Sequence, residues 1–408
     1  MKEPKIRFKG FRGEWEKKKL GAMTSVRGGY AFQSSLFQKS GIPVVRISNI
    51  LSNGNVGGDF VYYPRLDGDT NITIHEKDVV IAMSGATTGK IARVDVGDGI
   101  LYQNQRVGLF TKTGKVDYDF LYTVLNRPHF NELLNKLLTS SAQPNASSAD
   151  IESIEMEFPE DAEEQKALSN YILSLDSLIQ STTKKIESLK QVKAASLQSM
   201  FPQEGETTPR VRFKGFEGEW SICPLKYFAK KSTEKNISMD YTITLTNSAE
   251  YGVINQRDFF DHDISNDDHI NGYYVIHHDD FVYNPRVSTA APVGPISRNR
   301  LGYSGVMSPL YLIFRVNGIN KDFLSYYFKT TLWHNYMKLE GNTGARFDRL
   351  AISDEQFFNM PIYYPKDEEE QTAIASYFTN LDRQITLHTQ RLEKLKQIKS
   401  ACLDNMFV

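Results

Sequence analysis

The chain has 408 residues, 40% of them hydrophobic and 24% charged, with a formal net charge of −1. That length exceeds one ordinary hydrophobic core, so two domains are expected, and the composition is that of a folded protein rather than a disordered or fibrous one. No run approaches the roughly eighteen apolar residues that span a bilayer, and the near-neutral charge removes the simple electrostatic case for a nucleic-acid binder.

The first element is an entry peptide, "KIRFKGFRGEW" from Lys5 to Trp15, whose Phe8, Phe11 and Trp15 are expected to pack against a helix or a partner. The start, Met1 to Gly10, is charged and no apolar stretch of the signal-peptide kind follows it, and Cys223 and Cys402 are the only cysteines, so a reducing cytoplasm is the expected setting. The following stretch, about residues 16 to 157, carries strand-like runs rich in β-branched or alternating residues: "GIPVVRISNI" from Gly41, "DVVIAMSG" from Asp78, "KIARVD" from Lys90 and "YQNQRVGLF" from Tyr102. Asp117 to Leu138 then reads as one helix.

From about 162 to 200 a long helix is expected, with Leu168, Ile172, Leu175, Ile179, Thr182, Ile186 and Leu189 spaced alternately by four and three. A seven-residue repeat of this kind marks a coiled-coil seam. Acidic residues crowd its start and lysines its end, as the helix dipole favours. Then the plan repeats. "RVRFKGFEGEW" from Arg210 to Trp220 matches the entry peptide at eight of eleven positions, and a second middle, about 221 to 363, holds the strand-like "YTITLTN", "GYYVIHHDDFVYNP" and "SPLYLIFRV" followed by the helical Lys321 to Glu340. A second long helix, about 368 to 406, carries Ile374, Phe378, Leu381, Ile385, His388, Leu392 and Leu395 at the same steps, 206 residues after the first set. Thr182 and His388 occupy the same step of the seam and read as a polar layer that sets register.

The chain is therefore two copies of one frame around divergent inserts. Residues 1–157 form a first domain, 158–208 a first long helix with its linker, 209–364 a second domain and 365–408 a second long helix. The fold class is α+β: two mixed α/β domains in tandem, separated by two long helices forming an antiparallel coiled coil, with pseudo-two-fold symmetry. Net charge by segment is +3, −3, 0 and −1 in that order, so any DNA contact must be local and a more basic partner would supply further attraction.

The motifs that would carry chemistry fail on count. "SGATTGKI" from Ser84 to Ile91 looks like a phosphate cradle, but three residues rather than four separate its glycines and no hydroxyl follows Lys90. No GxGxxG opens a helix, the two cysteines lie too far apart for a zinc pattern, and "YNPRVS" from Tyr283 departs from the amino-methyltransferase segment at Arg286. The acidic "DHDISNDDH" from Asp261 to His269 reads as a solvated loop, with a metal site there as the open alternative. The inserts instead offer side chains of the kind that read DNA. In the first these are Arg46, Asn49, Thr87, Thr88, Lys90, Gln103, Asn104 and Arg106, then Gln143 and Asn145. In the second they are Thr246, Asn247, Gln256, Arg257, Asn284, Arg286, Ser288 and Thr289, then Asn342, Thr343 and Arg346.

Taken together, the "FKGFxGEW" entries, "SGATTGKIARV", "NQRVGLF", the Pro-x-x-x-Glu-Glu-Gln helix starts (Pro159 to Gln165; Pro365 to Gln371) and the "LKQxKxxxLxxMF" ends resemble the specificity subunit of Type I restriction-modification systems. The resemblance covers essentially the whole chain. It implies a subunit without catalytic activity, metal or cofactor of its own, in which two target-recognition domains each read one half of a bipartite double-stranded DNA site. It further implies that the helices set the spacing and bind two methyltransferase subunits that modify adenine with S-adenosylmethionine, and that optional restriction subunits cut DNA with ATP and Mg2+. Two other readings stand beside it: a free-standing coiled-coil scaffold whose inserts bind proteins, which the near-neutral charge favours, and an enzyme using the acidic 261–269 loop.

Overall fold

The structure is a computed structural model describing residues 3–97, 99–141, 145–259, 267–342 and 348–408. Gln143, Thr343, Arg346 and most of the acidic 261–269 stretch lie outside the described residues. The chain divides into two compact units, Met1–Thr183 with Arg391–Val408, and Lys184–Gln390. Among the described residues no helix is long and apolar enough to cross a membrane.

In the first unit the strands are β1 (Glu16–Lys19), β2 (Val26–Arg27), β3 (Ile42–Val45), β4 (Val61–Tyr63), β5 (Thr73–Ile74), β6 (Val79–Ala82), β7 (Ile91–Arg93), β8 (Leu101–Gln103), β9 (Val107–Phe110) and β10 (Glu155–Phe158). The helices are α1 (Tyr118–Leu125), α2 (Pro128–Ser141), α3 (Ser148–Ser153) and the start of α4 (Ala162–Ser199). Two four-stranded sheets, ordered β2-β9-β6-β7 and β4-β3-β8-β5, enclose one apolar layer, while β1 and β10 pair antiparallel. Alternation in β6 decides the packing: Val80 and Ala82 join the layer between the sheets, and Val79 and Ile81 join the core beneath the helices.

The second unit holds β11 (Ser221–Pro224), β12 (Ala229–Ser232), β13 (Leu245–Ser248), β14 (Gly252–Asn255), β15 (Tyr274–Ile276), β16 (Phe281–Tyr283), β17 (Ile296–Arg298), β18 (Gly305–Met307), β19 (Leu312–Val316) and β20 (Pro361–Tyr364), with the two-stranded pairs β13-β14 and β15-β18 in place of the first unit's second sheet. Its helices are α5 (Lys321–Tyr327), α6 (His334–Glu340), α7 (Asp354–Phe358) and most of α8 (Glu368–Asn405). The main sheet runs β12-β19-β16-β17, matching β2-β9-β6-β7 strand for strand, and β11 pairs with β20 as β1 does with β10. The divergent inserts thus share one sheet.

Two expected single helices are each broken. Pro128 disfavours a helical residue before it and occupies the first position of α2, which separates α1 from α2. In the second unit the interruption falls at 328–333, where the Thr330 hydroxyl donates to the Tyr327 carbonyl. The expected strand Tyr102 to Phe110 is likewise two strands, turned at 104–106.

The duplicated frame has a common physical core. Arg7 donates through Nε and Nη2 to both oxygens of Glu164, each at 2.7 Å, and through Nη1 to the Gly13 carbonyl at 2.6 Å. Arg212 forms the same fork on Glu370 at 2.7 and 2.7 Å, with Gly218 accepting at 2.6 Å. Both carboxylates are 1% exposed. The neighbouring glutamines are a second clamp: Gln165 donates to the Pro159 carbonyl and accepts from the Asp117 amide at the start of α1, and Gln371 does the same with Pro365 and Asn320 at the start of α5. The entry aromatics pack on the long helices as expected, Phe8 edge-on to Tyr171 and Phe213 edge-on to Tyr377.

The long helices are antiparallel, and the seam residues do more than pair helix with helix. Leu168, Ile172 and Leu175 lie in the core of the first unit with Phe120 and Phe158, while Ile374, Phe378 and Leu381 lie in that of the second with Phe323 and Phe357. Leu189, Leu395 and Ile385 pack on those cores, Thr182 and Ile186 are buried, and Ile179, His388 and Leu392 are half-buried. A lysine–aspartate pair pins each helix pair: Lys399 with Asp176 in the first unit and Lys193 with Asp382 in the second. Each unit is completed by the last residues of the other copy of the frame. Phe407 meets Trp15 edge-on and stacks on Phe120, as Phe201 does with Trp220 and Phe323.

The second clasp has an added cation. Burial and the neighbouring Lys193 bring Lys329 down to about 8, while Asp382, which burial alone would raise, is held below the usual carboxylate range by Lys193 and Lys329.

Removing Arg7 strands a buried charge, so Arg7→Met should destabilise the first unit by about 3 kcal/mol, and Arg7→Met with Glu164→Gln by clearly less than the two single changes combined. Hydrogen exchange, which separates the two units, checks both. Unfolding returns Lys329 to its ordinary 10.5, so between about pH 8 and 10.5 the unfolded state binds the extra proton and the second unit gains stability as pH rises. Lys329→Met should flatten that rise in the same measurement.

Candidate nucleic-acid interface

At one edge of the first unit, five backbone segments are tied together. The Met83 amide donates to the Arg106 carbonyl at 2.9 Å, Ala146 to Met83 at 2.9 Å, Gln105 to Tyr30 at 2.9 Å and Asn104 to Val45 at 3.1 Å. This gathers the ends of β3, β6 and β8, the 104–106 turn and the 145–146 segment around Tyr30. Gly29 makes the approach of Tyr30 feasible, because a Cβ there would stand 2.1 Å from the Asn104 carbonyl oxygen.

Several of the expected readers meet at this edge. Arg106 is exposed and makes no ion pair among the described residues. Asn104 accepts from the Arg106 amide at 3.3 Å and shapes the turn. Thr88 is half-buried and donates to the Gly85 carbonyl, Lys90 reaches Ser52 Oγ at 3.0 Å, and Asn145 is exposed. Arg46 is half-buried, with Nη2 at 3.4 Å from the Asp59 carbonyl. Three buried polar atoms here, Arg46 Nε, Ser84 Oγ and Thr87 Oγ1, have no hydrogen-bond partner among the described residues, a state native folds rarely leave unexplained.

Two residues are corrected. Asn49 is 1% exposed, its Nδ2 donating to Gly57 and Asp59 carbonyls and its Oδ1 accepting from the Arg46 amide. Gln103 is 0% exposed, donating to Arg27 and Val107 carbonyls and accepting from Arg27 Nε. Both brace the turns from inside and present nothing to a base edge.

In the second unit the same edge forms. The Leu350 amide donates to the Pro285 carbonyl at 2.9 Å, as Ala146 does to Met83, and Tyr311 to Ser308 at 3.0 Å, as Val107 does to Asn104 at 2.9 Å. Arg286, 70% exposed, stands 3.9 Å from Asp348, and Thr289 is exposed. Ser288 Oγ accepts from the Ala291 amide, Thr246 Oγ1 bonds Tyr311 Oη, and Asn284 links the Asn247 carbonyl to the Arg286 amide. Asn247 is buried and donates to Val282 and Pro295 carbonyls, which corrects it to a structural role as well. Gln256 is half-buried beside β14, while Arg257 and Asn342 are exposed and engaged within the protein. A cleft of about 320 Å³ opens beside this edge, lined among others by Tyr283, Pro285, Pro309, Leu310, Tyr311 and Arg349. Burial pushes the Tyr283 phenol up, and its hydroxyl donates to the Val293 carbonyl.

A family model described as the Type I restriction modification DNA specificity domain matches residues 12–191 and again 219–397. The chain belongs to that family. Among its relatives, the Type I restriction enzyme MjaVIII specificity subunit of Methanocaldococcus jannaschii is 29% identical over 189 residues, which is 44% of this chain and 44% of that protein. The match thus spans under half of that relative's length. The crystal structure of a Type I restriction-modification S subunit from M. genitalium shares the fold, with a TM-score of 0.58 at 13% identity over 100% of this chain and 99% of that one. An HsdS subunit from Thermoanaerobacter tengcongensis aligns over 96% of each chain at 16% identity with a TM-score of 0.44.

Sequence reasoning missed four residues at the paired edges of this Type I specificity chain: Tyr30 (45% exposed), Gln105, Leu310 (57% exposed) and Arg349. A search restricted to polar side chains in strand-like runs passes over an exposed tyrosine behind two glycines and a leucine after a proline. The Ser84 to Ile91 loop folds as a short turn at 85–87, with Gly89 packed against Asn131.

Gln103→Ala should destabilise the first unit by about 2–3 kcal/mol, because the Arg27 and Val107 carbonyls lose their donor inside the fold. The loss should appear as faster amide exchange in β8 and β9.

Proposed function

We propose that this chain is the non-catalytic sequence-recognition and assembly subunit of a Type I restriction-modification complex. Each unit reads one half of a bipartite double-stranded site through the edge described above. The helices set the gap between half-sites and, with the duplicated frame, seat two methyltransferase subunits. Adenine methylation with S-adenosylmethionine, and ATP- and Mg2+-dependent cleavage where restriction subunits join, belong to those partners. The observation that carries this reading is the pairing of a contact-for-contact repeated frame with different side chains at equivalent turns. Identical partners need repeated patches, whereas two half-sites need different readers. Exposed Arg106, without an ion pair among the described residues, and Arg286, 70% exposed beside Asp348, provide the local charge that the near-neutral chain lacks overall.

The test is co-purification with the methyltransferase encoded beside this gene, followed by mapping of methylated adenines. A bipartite pattern that vanishes with the gene is expected; methylation that persists unchanged overturns the proposal. One heptad inserted after Ile186 and another after Leu392 adds about 10 Å of helix, so the spacer should lengthen by about three base pairs with both half-sites unchanged. An unaltered spacer in the methylation map would remove the ruler role.

A further inference from the structure

The two reading edges match residue for residue at one turn, and there the chemistry differs. In the first unit the turn is Asn104-Gln105-Arg106-Val107; in the second it is Ser308-Pro309-Leu310-Tyr311. Both close with an amide-to-carbonyl bond from the fourth residue to the first, at 2.9 and 3.0 Å. In both, the first side chain accepts from the third residue's amide, Asn104 from Arg106 at 3.3 Å and Ser308 from Leu310 at 3.4 Å. Arg106 and Leu310 therefore occupy one structural position, and both are exposed. The flanks change the other way. Ser84 and Asn145 beside Arg106 correspond to Arg286 and Arg349 beside Leu310, as the equivalent Ala146–Met83 and Leu350–Pro285 bonds show.

We infer that the two units read unlike chemistry at corresponding base pairs: guanine by Arg106 in the first half-site, and a thymine methyl by Leu310 in the second. This rests on the proposed reading of DNA by both units. A leucine offers no donor or acceptor, so pressing it against the polar edge of guanine, cytosine or adenine would desolvate groups it cannot satisfy. The thymine C5-methyl is the apolar feature of the major-groove edge. Pro309 extends the same apolar surface where the first unit has Gln105, and the cation moved from the turn's tip reappears at its flanks, where phosphates are contacted.

The experiment uses the chain assembled with its methyltransferase subunits and duplexes carrying the mapped site, with each thymine in turn replaced by deoxyuridine, which lacks the methyl. One replacement, in the half-site that Arg106→Ala leaves unrelaxed, should weaken binding about fourfold, the worth of one buried methyl-sized group. Leu310→Ala, exposed and expected to melt as the parent does, should bind thymine and uracil equally there. If no replacement matters while Arg106→Ala still relaxes one half-site, the inference is overturned and the proposed function stands. If neither variant changes recognition of either half-site, the reading of DNA by these edges falls with it.

Discussion

A buried carboxylate held by a two-pronged guanidinium organises each unit. Glu164 and Glu370 sit at the first turn of long helices, shielded from water, and would be costly there without Arg7 and Arg212. The fork fixes where the entry peptide crosses the helix, which sets Trp15 and Trp220 beside Phe120 and Phe323. The adjacent glutamines orient α1 and α5 from the same helical turn. One short acidic motif thereby joins entry peptide, long helix and insert, and its strict geometry explains why the frame is written twice while the inserts vary.

The repeated frame was legible in the sequence because its contacts are side-chain specific: a fork needs arginine and glutamate, a seam needs apolar residues at fixed steps. The inserts were legible only as mixed strand and helix. Their common sheet order rests on buried apolar alternation that many residues satisfy, so Val79–Ala82 and Phe281–Tyr283 occupy one place without resembling each other. The proposed reading edge was half visible. Arg106 and Arg286 stood out by type, but Asn49, Gln103 and Asn247 are also of types that read base edges and lie inside, a difference that depends on long-range packing. The breaks at Arg127 and 104–106 depend on local backbone demands that periodicity averages over.

Division of labour within each unit follows from this. Alternating strands commit one face of β6 and β16 to the core beneath the helices and the other to the second apolar layer, leaving the strand ends as the positions free to vary. Turns anchored by main-chain bonds tolerate exchange of their exposed side chains, so recognition can diverge without disturbing the fold.

The interleaving of the two copies also bears on biosynthesis. Lys184–Gln390 is a continuous stretch that can close its core while later residues are still being translated, whereas the core around Trp15 awaits Met406 and Phe407. The unit that holds Trp15 thus closes its core after the Lys184–Gln390 unit, its hydrophobic centre incomplete while the intervening residues are translated.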